Sequence, residues 1–521
     1  MESTFNLLEE SWIPCVDMEG RPIELSLSET LLKAHQLREI AASSPLATGA
    51  IYRLLLAILH RNFGPESMNA WGQLWESSQW DQTTLQAYFE KWHHRFYLFD
   101  DEHPFYQSTH FKANQQPISQ LVPQYSSGNN ATLFDHHVDD DGASLSPAEA
   151  AQALVTIQSF GISGTNGLKR KPFTDAPCTR GILFLLAGKN LFETLALNLL
   201  QYNKAEPLNN LSCTPQHQYT DETVDKPSWE MEDPFDPDRT MPTGYLDYLT
   251  WQNRRVLLEP EESENGEIIV PHMLWEAALR LDSSVLDPMK HYFVDDKGIS
   301  HVLRFYEGGA VWRDSSALFA ARTDTNYPPM VFKWANDLTL YGFLEKDLFQ
   351  SVALGMANFQ SKIFYFREEQ FDLPSTYLKD ETLVDELFTQ LDYAKQTGKK
   401  LWGATQSFAA LLLSPESDTD DSKKPDPKNV KNLVNRWGID HIYWAGLEVP
   451  FYRLMDALPK NRLAAIEAWE TTSRRQASFA LDEAIRIAGN KPAAMKAGAK
   501  ASRQLYFGVK NIWPDKTKEE K

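Results

Sequence analysis

Cysteine is scarce in this chain: among 521 residues only Cys15, Cys178 and Cys213 are cysteines, and they lie far apart. Such spacing supplies neither a disulfide framework nor the paired thiols of a zinc site, which fits a reducing cytoplasm. Long hydrophobic runs are missing too. No stretch approaches the roughly 20 apolar residues needed to span a bilayer, and the longest, such as Gly181–Ala187, are strand-sized. The opening MESTFNLLEESWIP has no basic n-region and no apolar core, so no secretory signal is expected. Basic charge is in deficit, with 51 Lys and Arg against 71 Asp and Glu and a net charge of −20. On composition alone this disfavours a polyanionic partner, since phosphate binding wants clustered Lys and Arg; local patches, however, decide the matter more than the sum does. Catalytic signatures are absent as well. There is no GxSxG, no HExxH and no defensible Cys–His pair. The stretch from Gly181 to Gly188-Lys189 fails as a phosphate loop: six residues separate the glycines where four are required, and Asn190 stands where Ser or Thr should hold magnesium. A buried strand ending in a turn is the better reading.

What is present suits a globular protein with a sizeable core. Hydrophobic residues make up 42%, including 15 Trp, 28 Phe and 19 Tyr. A single core rarely grows beyond roughly 250–300 residues, so two or more domains are expected. Glu19-Gly20 marks a turn in a small hairpin ahead of Ile23-Glu24-Leu25. From Pro45, Leu46, Ile51, Leu54, Leu55, Ile58 and Leu59 recur at helical spacing and would bury one face, with Gly64-Pro65 as the stop. Residues 66–98 read as further helix. Ser146 and Glu149 form a capping-box pattern at the start of an Ala- and Leu-rich helix. Residues 203–243 look like an acidic surface excursion, and residues 268–345 read as short strands, among them His301–Tyr306 and Met330–Trp334. From about residue 348 the pattern turns helical, interrupted by the polar loop 414–428. The fold expected is therefore α+β: a large mixed α/β domain over 1–347, a four-helix bundle over 348–513 and a tail at 514–521.

Three segments are candidates for chemistry. Asp135-His136-His137 with Asp139, Asp140 and Asp141 could suggest a metal cluster, but adjacent His side chains rarely converge on one centre, and a solvated loop is the better reading. His93-His94 is read the same way. Gly161, Ile162, Ser163 and Gly164 open a glycine-rich segment that ends in Lys169, Arg170 and Lys171. Backbone N–H groups and the basic triplet could hold phosphates while the glycines enter a groove; a common Gly-rich turn before a charged strand start is the alternative. The C-terminal helices carry Arg474, Arg475, Arg486, Lys491, Lys496, Lys500, Arg503 and Lys510, with only Asp482 and Glu483 among the acids between Arg474 and Lys510. This is either a solvated helical face or a phosphate-tracking surface.

The order of several motifs carries a resemblance. Phe5-Asn6-Leu7-Leu8 through Trp12-Ile13-Pro14, then His103-Pro104-Phe105-Tyr106-Gln107, the loop from Ser127-Gly128 to Phe134, the run from Phe160-Gly161 to Thr179-Arg180-Gly181, Lys226-Pro227-Ser228-Trp229 and Leu447-Glu448-Val449-Pro450-Phe451 follow one another as they do in a known family. Over nearly the whole chain the sequence resembles the CasA-type large subunit of type I-E CRISPR Cascade. The resemblance implies a non-catalytic, cytoplasmic subunit of a ribonucleoprotein, partnered by a CRISPR guide RNA, double-stranded target DNA, the other Cascade subunits and a recruited nuclease–helicase. Such a subunit reads the protospacer-adjacent motif (PAM), largely from the minor groove, whose pattern is degenerate, and guide pairing supplies the remaining specificity. It implies DNA contact by Gly161, Ile162, Ser163 and Gly164, although the family loop carries more glycines. It places a minor-groove finger near Arg280 with no Lys at the matching position. A wedge hairpin is expected within Trp334–Tyr341, with Asn336, Asp337, Leu338 and Thr339 at its tip and no counterpart of the family's wedge glutamine. Asn129, Asn130 and Phe134 fall in the loop that meets the guide RNA or a neighbouring subunit, and Arg474, Arg475, Lys496, Lys500 and Arg503 on the path of the displaced strand. The zinc knuckle of some relatives has no cysteines here, so neither zinc nor any other cofactor is expected. Two other readings stay open: a metal-dependent hydrolase built on residues 135–141, and a protein-only scaffold.

Overall fold

The computed structural model describes residues 4–109, 111–123, 143–163, 174–207, 224–235, 239–306, 310–314, 323, 325–345, 348–359, 362–414 and 425–513. Two compact units emerge. The first comprises Met1–Glu307 and Ala321–Ser375, and the second Gly308–Ala320 and Thr376–Lys521.

The first unit is organised around the helix Pro45–Phe63. Ser44 caps it, accepting from the Ala47 N–H at 3.2 Å, and the Gly64 N–H closes it on the His60 carbonyl at 3.0 Å. Its apolar positions were expected to bury one face; instead Leu46 through His60 are buried without a break. Small residues allow this. A side-chain carbon added at Gly49 would lie only 3.3–3.5 Å from Leu183, Leu354 and Phe160. The helix packs against helix Pro147–Phe160, the short helix Tyr245–Leu249 and strand Leu348–Phe359. Helix Pro147–Phe160 carries the expected capping box: Ser146 Oγ accepts from the Glu149 N–H, and the Glu149 carboxylate accepts from the Ser146 N–H at 2.8 Å. Among the described residues the strands form five small sheets of two or three strands each. The hairpin turn at Glu19-Gly20 is present, with Ile13–Asp17 paired to Pro22–Leu25 and Gly20 at φ +83°.

Two expectations fail. Met330–Leu340 is a helix, not strand and hairpin. Val331, Trp334, Ala335 and Leu338 are buried at helical spacing, Lys333 pairs with Asp337 at 3.6 Å, and Leu338 is 0% exposed. Asn336, Asp337, Leu338 and Thr339 therefore form no hairpin tip. The long hairpin lies further on, where helices were expected. Strand Leu348–Phe359 pairs with Lys362–Pro374 in register from Leu348↔Pro374 to Phe359↔Lys362, and on its other side with Leu183–Ala187. Burial alternates there, with Phe349, Ser351 and Ala353 inward on one strand and Phe371 and Leu373 on the other, which is the period of a strand. The first unit accordingly runs to Ser375 instead of ending at residue 347.

The second unit is a four-helix bundle. Its members are Glu381–Leu413, a second helix interrupted as Pro427–Trp437 and Ile439–Ala457, then Arg462–Ala488 and Pro492–Lys510. The interruption is Gly438, at φ +62°, a conformation that glycine adopts without strain. The first helix buries Leu387, Leu391, Ala394, Leu401, Ala404 and Phe408 in one stripe. The inserted segment contributes the short turn Val311–Asp314: the Trp312 ring stacks on Phe451 at 4.8 Å, and the Arg313 guanidinium lies 4.1 Å from the Trp444 ring centre. No described helix is long and apolar enough to cross a membrane.

Candidate nucleic-acid interface

Helix Pro147–Phe160 ends at the glycine-rich segment, and two described backbone arms flank that segment in sequence. The outgoing arm is Gly161-Ile162-Ser163 and the returning arm runs from Thr174 to Arg180. They are tied together at several points. The Gly161 carbonyl accepts from the Ala176 N–H at 2.8 Å and from the Thr179 hydroxyl at 2.7 Å. The Cys178 N–H donates to the Ser159 carbonyl at 2.8 Å. The Ser163 N–H donates to Asp175 Oδ1 at 2.7 Å, and the other oxygen of Asp175 pairs with Arg180.

Two buried cations brace these arms from below. Arg254 opens strand Arg254–Glu262 and donates through Nη2 to the Ile162 carbonyl at 2.6 Å and through Nη1 to Asn253 Oδ1 at 2.6 Å. Burial pushes its guanidinium down to about 10. Lys290 Nζ donates to the carbonyls of Pro177 at 2.5 Å and Arg180 at 2.8 Å, and burial lowers its ammonium below the usual lysine range. Gly161 owes its identity to this packing. It is buried, and an added Cβ would sit 2.3 Å from the Arg254 guanidinium carbon. The place of a side chain at Gly161 is thus already filled from inside. Gly181, at φ +99°, is a second required glycine, since a Cβ there would meet Val302 at 2.4 Å.

Exposed arginines lie on and near the returning arm. Arg180 keeps 59% of its side chain exposed. Arg304 is exposed nearby, and partial burial together with the like charge of Arg180 lowers its guanidinium. Arg280 is exposed as well. Its position follows from the hairpin Arg254–Glu262/Ile268–Ala277: the Ala278 N–H donates to the Asn253 carbonyl at 3.0 Å, while Asn253 Nδ2 donates to the Thr174 carbonyl at 3.0 Å. Arg280 thus leaves the same strand end that holds the returning arm. Motif spacing pointed to Arg280 and to the pair Arg180-Gly181, but not to Arg254, Lys290 or Arg304, which reach the arms from distant parts of the sequence.

Other sequence-derived positions distribute unevenly. Ile162 and Ser163 are half-buried on the outgoing arm. Gly164, Lys169, Arg170, Lys171, Asn129, Asn130, Phe134 and the acidic stretch 135–141 lie outside the described residues. His93 and His94 diverge: His93 Nε2 lies 2.9 Å from Glu9, whereas His94 stacks on Trp92. Among the described residues no group of His, Cys, Asp and Glu could hold a metal ion. Asn190 is a helix cap, accepting from the Glu193 N–H at 2.8 Å. On the bundle, Arg475, Lys496, Lys500 and Arg503 are exposed. Arg474 is engaged within the bundle instead, bridging to Glu470 at 2.8 Å and lying 5.4 Å from the Trp513 ring centre.

Comparison with known proteins agrees with this architecture. The family model described as CRISPR-associated protein Cse1 matches residues 6–480. The CRISPR-associated protein CasA/Cse1 of Thermus thermophilus is 31% identical over 503 residues, which cover 90% of this chain and 92% of that protein. The crystal structure of Thermus thermophilus CasA superposes with a TM-score of 0.79 at 27% identity, covering 98% of this chain and 100% of that one. A chain of a CRISPR RNA-guided surveillance complex shares the fold with a TM-score of 0.75 at 20% identity, covering 96% and 99%. The chain belongs to the Cse1 family of CRISPR-associated proteins.

Proposed function

We propose that this chain is the subunit of an RNA-guided, Cascade-type surveillance complex that reads the PAM in double-stranded target DNA. The observation that carries the reading is the exposure of Arg180 and Arg304 close enough for their like charges to interact beside the two arms, with the exposed Arg280 two residues beyond the Ala278 that bonds to Asn253, in a protein whose net charge is −20. Basic residues concentrated at one place against an acidic background are the electrostatic footprint of a phosphate-facing surface. Gly164, Lys169, Arg170 and Lys171, which lie between the arms in sequence, would contact the DNA as well. The chain would act without catalysis, positioning DNA for guide pairing and recruiting a nuclease–helicase. Asn129, Asn130 and Phe134 would meet the guide RNA or a neighbouring subunit. Strand separation would fall to the hairpin Leu348–Phe359/Lys362–Pro374, in place of residues 336–339. The exposed basic face of the last two bundle helices would follow the displaced strand.

The test is a gel-shift titration of guide-loaded complex, with and without this chain, on duplexes that differ only in the bases flanking the target. Tighter binding on some flanks and not others supports PAM reading. Identical binding with and without the chain sinks it and leaves the scaffold reading. Changing Lys169, Arg170 and Lys171 together to Ala should weaken binding and flatten its salt dependence.

A further inference from the structure

The two arms of the glycine-rich segment are joined by a side-chain bridge as well as by backbone contacts. From the outgoing arm, the Ile162 carbonyl accepts from Arg254 Nη2 at 2.6 Å. The other terminal nitrogen of Arg254 donates to Asn253 Oδ1 at 2.6 Å, and Asn253 Nδ2 donates to the Thr174 carbonyl at 3.0 Å on the returning arm. Ile162, Arg254, Asn253 and Thr174 therefore form one continuous run of hydrogen bonds across the base of the segment. The bridge is also fixed to its surroundings. The Gln158 side chain bonds both ways to the Arg254 backbone, Nε2 to the carbonyl at 2.8 Å and Oε1 from the N–H at 3.3 Å. The Asn253 carbonyl accepts from the Ala278 N–H, two residues before Arg280.

We infer that Arg254, acting with Asn253, is a positioning residue that sets the separation of the two arms and their placement relative to Arg280, and thereby sets discrimination among PAM flanks. The inference rests on the PAM-reading function proposed above and concerns residues that touch no DNA themselves. The chemistry requires this pair. A guanidinium presents two terminal nitrogens in a rigid planar fork, so one side chain reaches the Ile162 carbonyl and the Asn253 amide at once. A lysine ammonium carries all its donors on one atom and lacks the planar spread of that fork. The amide of Asn253 accepts from one side and donates on the other, which an aspartate could not do. Gly161 completes the arrangement, because any side chain there would displace the guanidinium. A groove-reading loop discriminates by sub-ångström placement, so loosening this bridge moves discrimination before it moves overall affinity.

The experiment uses the guide-loaded complex carrying this chain as wild type, Arg254→Lys, Arg254→Met, Asn253→Ala or Gly161→Ala. Tyr88→Phe, which loses hydroxyl contacts to Glu230 and Trp229 elsewhere in the same unit, serves as the control for general destabilisation. Dissociation constants are measured on duplexes with favoured and disfavoured flanks, and each variant's melting temperature is recorded. The expected result is a discrimination ratio graded Arg above Lys above Met. Arg254→Met should lose about tenfold or more, the scale of lost charge-assisted hydrogen bonds, with affinity for the disfavoured flank nearly unchanged and Tyr88→Phe like wild type. Should Arg254→Met not fold, Asn253→Ala and Gly161→Ala carry the test, since they cut or displace the bridge while keeping the guanidinium. Wild-type ratios in folded bridge variants, or an equal loss in Tyr88→Phe, would overturn the inference and leave PAM reading standing. A wild-type complex with no flank preference would remove the proposed function and this inference together.

Discussion

Arg53 and Asp287 form an ion pair at 2.9 Å with side chains only 1% and 0% exposed, 234 residues apart in sequence. The pair locks the central helix Pro45–Phe63 to the turn before Met289. Burial alone would raise the Asp287 carboxyl, but Arg53 and Lys290, the Met289 N–H and the Tyr248 hydroxyl hold it below the usual carboxylate range. Removing one partner strands the other charge. Arg53→Met should therefore destabilise the first unit by about 3–5 kcal/mol. Urea unfolding followed by near-ultraviolet circular dichroism measures this, and Arg53→Met combined with Asp287→Asn should recover part of the loss.

Two buried groups with opposite effects contribute to the acid stability of the same unit. Burial pushes His60 down to about 4, so between pH 6.5 and 4 the unfolded chain binds a proton that the native protein refuses. Stability falls as pH drops through that window, by on the order of 3 kcal/mol. Burial raises Asp247 to about 6 despite its pairing with Arg239. Its native state holds a proton that the unfolded chain releases, so its contribution is fully present below pH 3.8 and is lost as pH rises through about 6. The two slopes partly cancel in the wild type. His60→Gln should lessen the loss of stability on acidification between pH 6.5 and 4. Asp247→Asn should steepen the acid loss. Melting temperatures across pH 4–7 decide both.

Local signals were legible where local rules decide. Ser146 with Glu149, Gly20 in its turn and Gly64 at its helix end all stand where their chemistry requires, and the helical bundle follows from apolar spacing after residue 381. The failures are cases where tertiary context chose between periods. Residues 348–374 contain an apolar run that fits either period, and pairing with Leu183–Ala187, more than 160 residues earlier, makes it strand. Met330–Leu340 is short and aromatic, and burial of Val331, Trp334 and Leu338 selects helix. The site was half legible. Gly161 and Arg280 stand out in sequence, whereas Arg254, Lys290 and Arg304 join the arms only through long-range folding.

Leu338 separates structural from DNA-facing roles. It is 0% exposed in helix Met330–Leu340. Leu338→Ala should cost about 2–5 kcal/mol of stability through lost burial and a cavity, and leave DNA affinity unchanged at temperatures where the variant is folded. Gln360→Ala, between the two long strands in sequence, should show the reverse: an unchanged melting temperature with slower opening of the target duplex. Fluorescence of a base analogue beside the PAM reports that opening.

The bundle makes the sharpest division among like residues. Lys496, Lys500 and Arg503 share the exposed face of helix Pro492–Lys510 with Tyr506 and Phe507, which are 65% and 55% exposed, and the Arg503 guanidinium lies 5.7 Å from the Phe507 ring centre. Exposed aromatics among cations are what a single strand stacks on. Arg474 lies on the preceding helix but is spent on Glu470 and Trp513. Changing Lys496, Lys500 and Arg503 together to Ala should reduce the slope of log affinity against log salt by about 2, three phosphate contacts at roughly 0.7 each for a single strand. Arg474→Ala should leave that slope unchanged and lower the melting temperature of the bundle. A salt series on the guide-loaded complex with fully matched duplex measures the first effect, and thermal unfolding of the same variants measures the second. Equal slopes for the triple variant and the wild type would assign the basic face to solvation alone.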